Sequence, residues 1–192
     1  MSVLIITDVY GETPAVASLA RQLPTPCHII APDNSATHFK NGQQAYQGFL
    51  AAGGVAAYAE KIARFLRTQT PQHTHHTIQH VIAFSAGASA WWLQSAQLAI
   101  PIHSATLFYA SRVREHADLN SACPTHFIFA EHEDAFQPAA LVQQLRQHGH
   151  QAEIAPGTQH GFMNPYSAGF SLKMQTRYVA MLVERVRSRR VA

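Results

Sequence analysis

The chain has 192 residues, which is enough to bury one substantial core and short for two. We therefore expect a single domain over residues 1–192. Apolar residues make up 47% of the chain and charged residues only 13%, and this composition excludes a disordered protein. The net charge is +3, and much of the basic character lies in the last residues, where arginines complement the dipole of a closing helix. A nucleic-acid partner is therefore not expected.

No apolar run approaches the ~20 residues that cross a bilayer, and the first predicted strand begins at Val3 without a basic leader. We therefore expect a cytoplasmic protein with no membrane partner. Cys27 and Cys123 lack metal-ligand and C-x-x-C spacing, which favours two free thiols. The sequence does not determine the oligomeric state.

Apolar runs typical of buried strands alternate with helical patterns along the whole chain. Strands are predicted at 3–7, 27–31, 81–84, 105–110, 126–130 and 152–155. Helices are predicted after Thr13 as N-cap, over 55–66, directly after Ser85, between Pro138 and Gly149, and over 172–186. This alternation predicts an α/β fold, a doubly wound and mostly parallel sheet of about six strands with helices on both faces.

Two connecting segments carry side chains of interest. Residues 32–54 show little periodicity and are predicted to form a long loop. Its aromatic residues either wall a pocket or hold the loop against the core; they are Phe39, Tyr46 and Phe49. A second segment is rich in histidine, at His73, His75, His76 and His80. Because no cysteine or carboxylate accompanies these histidines, a polar linker is favoured over a zinc site, and we expect neither a metal nor a cofactor.

The most informative stretch is the junction at Ser85. An apolar strand ends at Phe84, small residues surround the serine, and a helix begins at once. The pattern is a G-x-S-x-G nucleophile elbow with Ala83 in place of the first glycine. Such a turn holds serine in a strained conformation and lifts its hydroxyl above the sheet edge, with the Ala86 amide directed at an oxyanion. The other interpretation is a strand–helix junction whose small residues serve packing alone.

Other strands of the predicted sheet end in residues that could act with Ser85. Reacting groups gather at the carboxyl ends of the strands in doubly wound sheets. Asp8 follows the first strand, an acidic segment at 131–134 follows the fifth, and His160 follows the sixth. The order serine, acid, histidine is that of α/β-hydrolases.

Several segments resemble the dienelactone hydrolase-type α/β-hydrolases. They are VLIITDVYG at 3–11, IIAPD at 29–33, LFYA at 107–110, FAEHEDAFQP at 129–138 and HGFMNP at 160–165. The resemblance implies the α/β-hydrolase fold and a nucleophile–histidine–acid triad. The chain departs from the family in having serine as nucleophile where cysteine is usual, and alanines at 83, 110 and 130 where glycines are expected. The family's earliest strands are also missing, which implies a smaller sheet.

Each site residue is assigned a role on this basis. We expect Ser85 to be the nucleophile, His160 the general base and Asp134 the triad acid, because Asp134 keeps the family's D-x-x-x-P spacing. Glu133 is the competing acid, since only one of two adjacent side chains should reach the imidazole. The backbone N–H groups of Val9 and Ala86 are the expected oxyanion hole.

Four further residues are candidates for supporting the triad or contacting substrate. Asp8 either accepts a hydrogen bond from Ser85 or caps the first helix. The others are Tyr10, Phe162 and Arg112. The resemblance calls for arginines that hold a substrate carboxylate; no segment of this sequence matches them, and Arg112 and Arg114, just past the fourth strand, are the candidates.

The function that we predict is hydrolysis of a small ester, thioester or lactone through an acyl-enzyme on Ser85. One alternative is a non-catalytic relative that binds a ligand, which Ala83 in the elbow leaves open. Another is a flavodoxin-like flavin-binding protein, which Pro14 disfavours because it removes an N–H from the first loop. Little of the chain is left over to form a lid, so a shallow site for small acyl groups is expected.

Overall fold

The computed structural model describes residues 1–33, 41–69 and 77–188. Within these ranges six strands form one sheet, in which every neighbouring pair is parallel. The strands are β1 (Ser2–Ile6), β2 (Cys27–Ile30), β3 (Ile78–Phe84), β4 (Ser104–Phe108), β5 (Thr125–His132) and β6 (Gln151–Gln159). Their spatial order is β2-β1-β3-β4-β5-β6. The predicted doubly wound parallel sheet is therefore confirmed.

Helices cover both faces of the sheet, as predicted. In the described ranges they are α1 (Pro14–Gln22), α2 (Gly42–Ala51), α3 (Gly54–Thr68), α4 (Ser85–Gln94), α5 (Pro138–Gln147) and α6 (Leu172–Ser188). Leu4 and Ile6 of β1 belong to the core under α3, α4 and α5, whereas Val3 and Ile5 belong to the core under α1 and α6. Two buried faces explain why the strand is apolar at every position instead of alternating.

Residues 42–51 form helix α2, so the prediction of a structureless loop over this stretch was wrong. The Asn41 side chain accepts hydrogen bonds from the backbone N–H groups of Gln43 and Gln44, which caps the helix. Ala45 and Phe49, four residues apart, are buried against the core. The apolar face of α2 is thus narrow, and this made the helical period hard to recognise. Phe39 lies outside the described residues.

Helix α4 lies deep in the protein and fixes the position of the elbow. Trp91 and Trp92 are both fully buried. The Trp92 ring packs edge-on against Phe127 of β5, with ring centroids 5.0 Å apart, and its Nε1–H donates to the His116 carbonyl at 2.8 Å. Helix α4 is therefore anchored on the sheet through Trp92.

Several sequence-based expectations concern metals, thiols and membranes. Within the described ranges no three His, Cys, Asp or Glu side chains are arranged to hold a metal ion; His73, His75 and His76 lie outside those ranges. Both cysteines are free thiols, and burial raises the pKa of Cys27 to about 11. No helix in the described part of the chain has the length and apolar character to cross a membrane.

Candidate active site

The junction between β3 and α4 is a strained elbow with Ser85 at its apex. Ser85 has a backbone φ of 47°, in the left-handed region that residues other than glycine rarely adopt. Gly87, the third residue of α4, lies so close to the end of β1 that a Cβ would collide with the carbonyl oxygen of Thr7. Ala83, by contrast, is accommodated in the buried strand β3. The second glycine of the motif is therefore required by close packing, and the first is not.

The hydroxyl of Ser85 meets the imidazole of His160, which comes from the loop after β6. The Oγ–Nε2 distance is 2.8 Å. The loop is braced by Ser167, whose hydroxyl donates to the His160 carbonyl at 3.2 Å. The ring of Tyr109 packs edge-on against the imidazole, with ring centroids 5.0 Å apart. His160 is thus held between the hydroxyl, its own loop and an aromatic ring.

The carboxylate that contacts His160 belongs to Glu133. Its Oε2 and Oε1 lie 2.8 Å and 3.0 Å from Nδ1 of His160. Because a carboxylate accepts the proton on Nδ1, the neutral imidazole presents an unprotonated Nε2 to Ser85, which is the form a general base requires. The Glu133 side chain is only 4% exposed.

The expectation that Asp134 contacts the imidazole was therefore wrong. Asp134 is exposed, and no hydrogen bond joins it to His160 in the described structure. Strand β5 ends at His132, and the chain turns immediately afterwards. Glu133 is the first residue past the strand and points over the sheet edge, whereas the next residue points to solvent. The spacing to Pro138, which favoured Asp134, was outweighed by the direction of the turn.

The backbone N–H groups of Val9 and Ala86 make no hydrogen bond to an acceptor among the described residues. Both residues line the same cavity as Ser85. Ala86 lies in the first turn of α4, where the N–H groups have no partner within the helix. These two amides are thus free to donate to a developing oxyanion.

Asp8 has neither of the two roles expected from the sequence. Thr13 caps α1, and no hydrogen bond joins Asp8 to Ser85 in the described structure. The carboxylate of Asp8 instead accepts from the Tyr10 backbone N–H at 3.0 Å and from Nδ2 of Asn164 at 2.7 Å. Burial raises the pKa of Asp8, and the two hydrogen bonds and the charge of His160 partly oppose that rise.

A cavity of about 380 Å³ opens in front of Ser85 and His160. Its walls come from the loop after β1, helix α2, the elbow, and the short 3-10 turn at Ser111–Glu115. Aromatic and apolar side chains form much of the lining, namely Tyr10, Tyr46, Phe49, Val55 and Tyr109. Of the two uses considered for the aromatics of residues 32–54, Tyr46 and Phe49 thus serve as pocket wall, and Phe49 also packs edge-on against Tyr58.

Arg112 and Arg114 both line this cavity. The guanidinium of Arg112 lies 3.5 Å from one carboxylate oxygen of Glu115, and that of Arg114 lies 3.4 Å from the other. Arg114 also lies over the ring of Phe136, 5.6 Å from its centroid. Each arginine therefore already has a partner, and their positive charge is partly neutralised.

Tyr10 and Phe162, the other two candidates, differ in their access to the cavity. Tyr10 lines it, and its hydroxyl lies so close to Gly42 at the start of α2 that a Cβ there would be 2.5 Å away. Phe162 is fully buried and packs against Tyr109, with ring centroids 5.1 Å apart. This burial excludes contact between Phe162 and a substrate. The Phe162 ring instead supports the Tyr109 ring, which lies against His160.

Sequence reasoning missed two residues of the site. Asn164 is 8% exposed and bonded to Asp8, and its place in the HGFMNP segment was the available signal. Tyr109 has a φ of 39°, so β4 stops at Phe108 instead of running to Ala110 as predicted. The Tyr109 hydroxyl is buried, and burial together with the charges of Asp8 and Glu133 raises its pKa well above the usual value. A weaker interaction with the Met163 backbone opposes that rise.

Comparisons with known proteins concern the fold. No protein-family model matches the chain. It is 25% identical over 196 residues to the uncharacterized protein YczH of Bacillus subtilis (strain 168), an alignment that covers 97% of this chain and 93% of YczH. Among solved structures, a proposed dienelactone hydrolase from Klebsiella pneumoniae superposes with a TM-score of 0.68 at 17% identity, covering 94% of this chain and 84% of that one.

Two further structures superpose over nearly the whole chain. A dienelactone hydrolase from Anabaena variabilis gives a TM-score of 0.62 at 13% identity, with 95% of this chain and 83% of that chain covered. Est1E from Butyrivibrio proteoclasticus gives a TM-score of 0.56 at 12% identity, with 97% of this chain and 88% of that chain covered. The fold is that of the α/β-hydrolases. The resemblance to the dienelactone hydrolase type, predicted from sequence segments, is thereby confirmed for this α/β-hydrolase fold; at such identities the likeness shows the fold alone.

Proposed function

We propose that the protein is a serine hydrolase that cleaves a small ester, thioester or lactone through an acyl-enzyme on Ser85. The observation that carries the proposal is the continuous line of hydrogen bonds from Ser85 through His160 to Glu133, with 2.8 Å at each link. It lies at the carboxyl ends of parallel strands, beside a cavity, where α/β folds place their reacting groups.

The first half-reaction uses all three side chains. A serine hydroxyl is a weak nucleophile until a base accepts its proton, and Nε2 of His160 is in position to do so. The resulting imidazolium donates Nδ1–H to the shielded carboxylate of Glu133, which stabilises the positive charge. The attack forms a tetrahedral intermediate on Ser85, and His160 then gives its proton to the leaving oxygen or sulfur.

The negative charge of the intermediate needs donors that are already oriented. The amides of Val9 and Ala86 supply them, since neither is engaged by another acceptor in the described structure. Each such donor contributes about 3 kcal/mol to transition-state stabilisation. Water activated by the same histidine then attacks the acyl group and releases Ser85.

The cavity sets the size and charge of the acyl group. A volume of about 380 Å³ lies near the lower end of ligand pockets in general, which favours small substrates. Its aromatic walls favour an apolar acyl or alkoxy group. Because Arg112 and Arg114 share the Glu115 carboxylate, a negatively charged substrate would have to compete with that carboxylate for either guanidinium.

The flavin-binding alternative has no support at the first loop. The carboxylate of Asp8 lies in the loop after β1 and lines the cavity, where it would repel a flavin phosphate. A non-catalytic relative is the more serious alternative, and the experiment below separates it from an enzyme.

The experiment combines covalent labelling with turnover of p-nitrophenyl acetate. A fluorophosphonate should label Ser85, located by peptide mass, and Ser85→Ala should lose the label and about a thousandfold or more in kcat. Ser18→Ala on α1 is the matched control, because Ser18 lies outside the cavity and should keep both properties. Full turnover in Ser85→Ala, or a folded wild-type protein that neither turns over nor takes the label, would contradict the proposal.

A further inference from the structure

One hydrogen bond joins the two loops that carry the oxyanion hole and the histidine. Nδ2 of Asn164 donates to Oδ2 of Asp8 at 2.7 Å, across 156 residues of sequence. Asp8 is 7% exposed and Asn164 is 8% exposed, so water does not compete freely for either group. A charge-assisted bond in such a setting is stronger than a bond at the surface.

On the Asp8 side, the bond reaches the backbone that presents Val9. Oδ1 of Asp8 accepts the Tyr10 N–H at 3.0 Å, and the Asp8 carbonyl accepts the Gly11 N–H at 3.2 Å. These two bonds close a tight turn around Val9 and set the direction of its N–H. The carboxylate therefore orders the first loop while its second oxygen remains available for Asn164.

On the other side, the bond reaches the loop that presents His160. Oδ1 of Asn164 accepts the Tyr166 N–H at 2.9 Å, and its backbone N–H donates to the Gly161 carbonyl at 2.8 Å. Its backbone carbonyl accepts the Ser167 N–H at 2.9 Å, and Ser167 in turn braces the His160 carbonyl. Asn164 thus makes the hydrogen bonds that order the loop carrying His160.

We propose that Asp8 and Asn164 are positioning residues, whose hydrogen bond holds the Val9 amide in register with His160 across the cavity. Neither side chain is bonded to Ser85 or His160 in the described structure, so both act through the loops they order. An oxyanion donor acts on the transition state and not on bound substrate, so loss of register should lower kcat and leave KM nearly unchanged. This inference rests on the proposed hydrolase function.

The arrangement allows a test in which the two residues exchange chemistry. In Asp8→Asn/Asn164→Asp, the asparagine at 8 can accept the Tyr10 N–H through its oxygen and donate through its amide. The carboxylate at 164 can accept that amide and still accept the Tyr166 N–H. All three hydrogen bonds are retained in the exchanged pair, with the direction of one reversed. Asn164→Ala, in contrast, leaves Oδ2 of Asp8 buried without its donor.

The measurement is kcat and KM for p-nitrophenyl acetate, normalised to the fraction of Ser85 labelled by fluorophosphonate. We expect Asn164→Ala to lower kcat about tenfold or more with KM changed less than about threefold. Complete loss of one oxyanion donor lowers kcat about 10²–10³-fold, and a misplaced donor should cost less than a missing one. The exchanged pair should recover kcat to within about threefold of wild type. Asn120→Ala, an exposed amide outside the cavity, is the matched control and should equal wild type.

Each result decides the inference. Wild-type kcat in Asn164→Ala overturns it, as does a rise in KM alone. A low kcat that the exchange does not restore also overturns it, because the hydrogen bond would then not be what matters. If Asn164→Ala does not fold, Asn164→Leu replaces it, because leucine fills a similar volume and offers Asp8 no donor; the exchanged pair remains the measure of recovery. Absence of labelling and turnover in wild type would instead remove the proposed function.

Discussion

Glu133 Oε2 lies 2.8 Å from Nδ1 of His160, and the two side chains differ sharply in exposure, 4% for the carboxylate and 41% for the imidazole. The base is open to the cavity while its acid is closed off from water. A shielded carboxylate interacts with an imidazolium more strongly than a solvated one does, because the local dielectric is lower. The pair therefore favours proton transfer from Ser85 to His160.

Glu133→Gln should lower kcat by about 10²–10⁴, because glutamine removes the charge that stabilises the imidazolium and can also hold the wrong tautomer. Asp134→Asn is the matched control. Since Asp134 is exposed and not bonded to His160, its kcat should stay within about twofold of wild type. Steady-state kinetics on both variants checks this, and an equal loss in Asp134→Asn would contradict the assignment.

The positive φ of Ser85 predicts an unusual order of stability. Both Ser85→Gly and Ser85→Ala lack the nucleophile, but only glycine adopts the left-handed region without strain. We expect Ser85→Gly to have a free energy of unfolding about 1 kcal/mol higher than Ser85→Ala. At Ser89, inside α4, Ser89→Gly should instead have a free energy of unfolding about 1 kcal/mol lower than that of Ser89→Ala. Urea denaturation of the four variants tests this; the same order at both positions would contradict it.

Ala83 allows a prediction about the degenerate motif. Because the elbow at Ser85 is formed with alanine in place, Ala83→Gly should raise kcat less than about twofold. Glycine in a strand interior should lower the free energy of unfolding by about 0.5–1 kcal/mol. Kinetics and urea denaturation on one variant give both values. A large gain in kcat would mean that the alanine restrains the nucleophile.

Sequence patterns predicted the parts of this molecule that depend on local chemistry. The strand predicted at residues 3–7, the Thr13 cap and the Ser85 elbow are set by neighbouring residues. All three are present, with the strand displaced by one residue to Ser2–Ile6. The choice between Glu133 and Asp134 depends on where β5 ends, which sequence defines only to within a few residues.

Contacts between distant segments were beyond local patterns. The bond from Asp8 to Asn164 spans 156 residues, and no periodicity indicates it. Helix α2 was missed because only Ala45 and Phe49 form its buried face, and two apolar residues four apart do not establish a helical period.

A last prediction concerns pH and lies at the opposite edge of the sheet. Nη2 of Arg185 donates to Nδ1 of His126 at 3.1 Å, which requires that nitrogen to be unprotonated. Burial, and secondarily the charge of Arg185, lower the pKa of His126 in the folded protein, while Glu153, 3.8 Å from Nε2, opposes them. The unfolded chain therefore binds a proton at this histidine more readily than the folded chain does.

The sign of the pH effect follows from this difference. The contribution of His126 to stability is present above its unfolded pKa, about 6.5, and is lost as pH falls through the lower folded value. Glutamine at 126 can still accept from Arg185 but does not titrate. The difference in free energy of unfolding, wild type minus His126→Gln, should therefore decrease between pH 8 and pH 5. Asp8, whose raised pKa acts in the opposite sense, is present in both proteins and cancels. Urea denaturation across this range measures the difference, and a constant or increasing value toward low pH would contradict the prediction.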